Sequence, residues 1–126
     1  MVRKNVYSAL IALVILILSL TGSDTLDKVP FYYFPGIDKV IHAIMYFTFM
    51  SVVVLEHKLG KSGLQRLLLV STVPLSYGIL MELCQWLLTT TRNGNVFDVF
   101  ANYAGILVSV SVFLIYERLE FLKAKK

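Results

Sequence analysis

Charge and cysteine are both scarce in this chain, and each scarcity excludes something. Only 16% of the 126 residues are charged, against 57% that are hydrophobic. A soluble domain of this size has too much surface to cover with so few charges, which leaves an integral membrane protein. Cys84 is the single cysteine and lies inside an apolar run, so an intramolecular disulfide is excluded and the thiol reads as packing. Two histidines with no Cys/His spacing pattern exclude a zinc finger. A glycine-rich phosphate loop, an internal repeat and a low-complexity stretch are all missing. The net charge of +4 could suggest nucleic acid. Its basic residues sit in short segments between apolar runs, however, which is how membrane proteins set their orientation, so no nucleic-acid partner is expected.

What is present is a set of long apolar runs: Val6–Thr21, Val40–Leu55, Leu67–Leu88 and Val99–Tyr116. A bilayer core takes about 20 such residues per helix. The second run is short, and gains length if Ile37 and the charged flanks sit at the interface. The expected fold class is all-α, an integral membrane four-helix bundle of one domain. Its helices are expected over residues 6–22, 38–56, 66–88 and 96–117. The first run also fits a signal peptide, with Arg3 and Lys4 before it and Gly22 and Ser23 after it. Its core is long for that role and no A-x-A site follows, so a retained helix is the expectation. With the N-terminus inside, nine lysines and arginines fall on the cytoplasmic side and three (Lys28, Lys39 and Arg92) on the other. The positive-inside bias then puts both termini in the cytoplasm.

In this topology Asp38, Lys39 and His42, Glu82 and Gln85, and Asp98 and Asn102 all belong to one outer layer. Hydrocarbon penalises such groups by a few kcal/mol each, so a short chain that keeps them together is using them. Asp38 and His42 are four apart and share a helix face that continues to Met45 and Phe49. Gly78, Glu82 and Gln85 form a second stripe; Asp98, Asn102, Gly105 and Ser109 form a third. Small residues on these stripes let helix backbones approach, so the stripes point into the bundle. At about 1.5 Å of rise per residue, His42 and Asn102 lie roughly 6 Å inward of Asp38 and Asp98. Asn95 is placed to cap the fourth helix, with Asp98 three positions later in a capping-box arrangement. Pro74 stands mid-helix and can open space by kinking the third span.

The layer mixes acids (Asp38, Glu82, Asp98) with bases (Lys39, Arg92, and His42 when protonated), as a proton-handling or phosphate-handling site does. A self-satisfied packing network has the same composition. A divalent cation on Asp38, His42, Glu82 and Asp98 is chemically reasonable, but no dense ligand motif supports it, and neither metal nor cofactor is expected. A serine nucleophile beside His42 is missing, since Ser51 is too far along its span. Phe31-Tyr32-Tyr33-Phe34, between Pro30 and Pro35, reads as an interfacial aromatic anchor, with a lip over a lipid groove as the alternative. Glu56-His57-Lys58 reads as a solvated cytoplasmic helix end.

The segment Pro35-Gly36 followed by Asp38-Lys39 and His42 resembles the PG-x-DK-x-x-H motif of VanZ-like membrane proteins. Tyr77-Gly78, Glu82 and Gln85 resemble their YG-x-x-x-E-x-x-Q motif. Arg92, then Asp98, Ala101-Asn102 and Gly105, resemble their R…D-x-x-A-N-x-x-G motif. The three occur in order between Pro35 and Gly105. The resemblance implies a multi-pass protein of the bacterial cytoplasmic membrane, in a family whose namesake confers teicoplanin resistance. On this reading Asp38, Lys39, His42, Glu82, Gln85, Arg92, Asp98 and Asn102 line an outward-facing pocket. Its expected partners are membrane lipids, with a polyprenyl phosphate or cell-wall precursor as head group, held by Lys39 and Arg92. One alternative is an intramembrane enzyme on a phosphorylated lipid, with Glu82 or His42 as catalytic base and Asp98 as orienter. Another is a structural helper subunit of a membrane complex. Oligomeric state is not legible.

Overall fold

The protein is described by a computed structural model that covers residues 5–21, 28, 30, 34–57, 63–91 and 94–125. Arg92, Tyr32 and Tyr33 lie outside the described residues. The described chain is all-α: α1 (Val6–Leu20), α2 (Ile37–His57), α3 (Gly63–Leu88) and α4 (Val96–Lys123), with no strand among the described residues. The last three are long and apolar enough to cross a membrane.

The second helix, a short run by composition, reaches 21 residues because Ile37, Asp38 and Lys39 join its start and Glu56 and His57 its last turn. The first is the short one. Its 15 residues end at Thr21, which turns to extended backbone and gives both its N–H and its hydroxyl to Ile17 O. At about 1.5 Å per residue it spans roughly 22 Å, less than a hydrocarbon core of about 30 Å. α3 begins three residues before the expected 66, behind Gly63 at φ +77°, and α4 runs to Lys123 rather than 117. Pro74 is fully buried within a continuous α3.

The exterior is what a lipid-facing protein requires. The accessible surface of 8799 Å² exceeds the roughly 6,800 Å² of a soluble monomer of this mass. Large apolar side chains such as Leu55, Leu69, Leu88 and Phe97 stand more than 65% exposed. In water such a surface would aggregate; in a bilayer it is solvated. The chain has the build of a multi-pass membrane protein.

α2 is the central helix, packed against all three others, and its main partner is α4. Five of the nine buried core hydrophobics are its own: Tyr46, Phe49, Met50, Val53 and Val54. Phe49 meets Tyr46 and Tyr77 edge-on, with centroids 6.3 and 5.7 Å apart, the arrangement aromatic quadrupoles favour. The α2–α4 approach depends on Gly105, because a Cβ there would stand 2.1 Å from Ala43 O. Beyond it Ser51 and Ser109 join the two helices by a 2.8 Å hydroxyl bond.

α1 is fastened at three levels. Tyr77 donates its hydroxyl to Ala12 O (2.6 Å), and Gln85 Nε2 donates to Ser19 O (2.9 Å). At the other end the carboxylate of Glu56 accepts from Tyr7 N (2.7 Å), Ser8 N (3.1 Å) and the Ser8 hydroxyl. This corrects the expectation of Glu56 as merely a solvated helix end. The preceding Asn5 has φ 73° and makes no side-chain cap. The orphan amides of α1 therefore recruit an acceptor from another helix.

Candidate functional site

The beginnings of α2 and α4 and the end of α3 meet at one end of the bundle, bringing the three polar stripes together. His42 is at the centre and 3% exposed. Its Nδ1 lies 3.0 Å from Asn102 Oδ1 on α4 and 3.6 Å from Glu82 Oε1 on α3. Its Nε2 lies 3.8 Å from Asp38 Oδ1, one turn back on α2. Asn102, Glu82 and Asp98 are as deeply buried as His42. Asp38 and Lys39 form the mouth, their side chains 31% and 44% exposed. Lys39 Nζ stands 3.6 Å from Asp98 Oδ1.

The helices place these groups by simple means. Asp38 and His42 share a face at i, i+4, and Asp98 and Asn102 do the same on α4. Gly78 and Gly105 remove side chains where the stripes converge: a Cβ at Gly78 would meet Tyr46 Cε1 at 3.1 Å and Asn102 Nδ2 at 3.2 Å. Asn95 caps α4 as expected, its side chain accepting from Phe97 N at 3.0 Å. The capping box is completed differently. Asn95 N donates to Glu82 Oε2 at 3.1 Å, so the acidic partner comes from α3, and Asp98 turns inward to Lys39. Gly94 permits this, because a Cβ there would sit 2.6 Å from Glu82 O, against the end of α3. Gly94, from the Asn-Gly pair read as a turn, is thus also a close-packing device, while Asn93 lies outside the described residues.

Of the residues expected in the pocket, Asp38, Lys39, His42, Glu82, Asp98 and Asn102 converge. Gln85 does not join them through a hydrogen bond; its amide holds α1. Arg92 lies outside the described residues. Tyr46 was passed over and belongs to the site. It is 1% exposed, its hydroxyl is buried with no hydrogen-bond partner among the described residues, and it shares Gly78 with Asn102, whose Nδ2 likewise has none among them. The signal was available, since Tyr46 continues the i, i+4 series from Asp38 and His42. The reading along Met45 and Phe49 took the other edge of that face.

Chemically, an imidazole bracketed by carboxylates on two helices can accept and release protons, and a buried amide sets its orientation. Among the described residues three carboxylates face one lysine and one histidine, an acid-rich balance for an enclosed site. No family model, no curated protein and no solved structure matches the chain, so the functional reading rests on this geometry and on the sequence motifs.

Proposed function

We propose that this is a VanZ-like protein of the bacterial cytoplasmic membrane. Its pocket opens to the outer surface and binds the head group of an envelope lipid or cell-wall precursor, with a role in the cell envelope and in glycopeptide susceptibility. The observation that carries this reading is Lys39, a cation at the mouth with a half-exposed side chain, above a layer of buried ionisable groups. Its 3.6 Å separation from Asp98 is longer than a hydrogen bond, which leaves the ammonium able to engage a phosphate. A buried polar layer costs several kcal/mol in a bilayer; ligand binding is a reason to keep one. The test is binding of a polyprenyl phosphate to the purified protein in nanodiscs. Saturable binding that weakens at least tenfold in Lys39→Ala with Arg92→Ala is expected. Failure to bind, or binding indifferent to both changes, rejects the reading.

A second reading, an intramembrane enzyme on the same class of lipid, is favoured by one specific arrangement. His42 sits between Glu82 and Asp38 with its ring held by Asn102, as a general base is held by its orienting groups. It demands turnover. Product formation from a phosphorylated lipid should fall at least a hundredfold in Glu82→Gln, and equal rates in variant and wild type would discard it.

A further inference from the structure

At the mouth of the pocket two carboxylates and an imidazole converge from two helices. Asp38, His42 and Asp98 each offer one ligand atom, and these atoms all lie within 4.8 Å of one another. Donors about 2.1 Å from one ion stand roughly 3–4.2 Å apart. Closing this set on a metal therefore takes side-chain shifts of about half an ångström.

Two independent details point to an electrophile as the partner of this set. The first is the orientation of His42. Asn102 Oδ1 only accepts, so the 3.0 Å contact makes Nδ1 the protonated nitrogen. In the neutral ring Nε2 carries the lone pair, and it faces Asp38 Oδ1, another acceptor, at 3.8 Å. An imidazole that donates one N–H to a carbonyl oxygen and turns the other nitrogen inward is how ligating histidines are held. The second is Asp98. It is 4% exposed, and its Oδ1 accepts no hydrogen bond from the described residues. The ammonium of Lys39 stands 3.6 Å away, beyond hydrogen-bond length, and its half-exposed chain can move aside.

We propose that Asp38, His42 and Asp98 bind a divalent first-row cation, with Asn102 as the positioning residue for His42. Two carboxylates neutralise its charge, and imidazole with carboxylate suits such ions. The proposal builds on the head-group reading and adds to Lys39 a second positive centre by which an acid-rich pocket can hold a phosphate.

The probe is Mn²⁺ alone, titrated into the full chain in nanodiscs of zwitterionic lipid and followed by electron paramagnetic resonance. One saturable site per chain is expected, with nitrogen coupling to the bound ion. That coupling should disappear in His42→Gln, and affinity should fall at least tenfold in Asp98→Asn, while Glu56→Gln at the other end of the bundle binds as wild type. No binding above that of empty discs, or bound Mn²⁺ without nitrogen coupling in the wild-type protein, overturns the site, and neither result needs a variant to fold. A polyprenyl phosphate titration with and without chelator separates the two proposals. Lipid binding that survives chelation in a protein without Mn²⁺ affinity removes the metal site alone. Mn²⁺ binding without lipid binding removes the head-group reading alone.

Discussion

His42 and Asn102 show how much a single buried pair carries. The bond between them joins α2 to α4 across 60 positions of sequence, with both residues about 3% exposed. Removing the amide leaves Nδ1 buried without its partner, and an orphaned buried polar group costs about 1–3 kcal/mol. Asn102→Ala should therefore unfold earlier by that amount in detergent-based denaturation, whereas Ser111→Ala, which loses only a local bond to Leu107 O on an exposed face, should not. Equal midpoints for Asn102→Ala and wild type would show that the bond contributes nothing. Spacing alone assigned both residues to inward stripes. It could not pair them, because two helices joined through a third can meet at many relative rotations. Gln85 illustrates the same limit: it obeys the periodicity of Gly78 and Glu82, yet its amide reaches α1.

Among the elements, α2 and α4 are held together by the absence of a side chain. With Ala43 O only 2.1 Å from where a Cβ would stand, Gly105→Ala has to push the helices apart or bend one. Forced overpacking of this kind costs typically about 1–3 kcal/mol. Thermal unfolding in detergent should register that loss. The same variant should also weaken any pocket ligand, because both walls move; full stability would mean that the interface is looser than its geometry. α1 depends on a different device. Its first-turn amides are satisfied by Glu56 of α2, so Glu56→Ala should speed hydrogen exchange at Tyr7 and Ser8 while leaving α4 protected. Unchanged exchange at those two amides would refute the cap. A reader of the sequence sees Glu56 beside His57 and Lys58 and infers a wet helix end. Its real partner is an uncapped helix start 48 residues earlier, and no local pattern records that.

For the whole molecule, the large exposed apolar side chains and the placement of basic residues make one prediction about orientation. Lys28 should lie outside and Lys125 inside. In a Cys84→Ser background, single cysteines at these two positions should react with a membrane-impermeant maleimide in intact cells at position 28 only. Labelling confined to position 125 would invert the molecule and turn the pocket towards the cytoplasm, defeating an extracytoplasmic head group.

Composition and hydrophobic run length were sufficient for fold class, because a chain with so little charge cannot cover a soluble surface and must solvate its apolar faces in lipid. Helical period was sufficient for the three polar stripes, because i, i+4 neighbours share a face in any α-helix. The contacts across those stripes were decided only in three dimensions. Helix rotation, the close approach at Gly105 and the folding of Gly94 onto α3 determine that Glu82, not Asp98, completes the α4 cap. The same packing sets His42 between three helices and brings Tyr46 into the pocket. Each is a contact between residues distant in sequence, fixed by packing whose geometry the order of residues does not spell out.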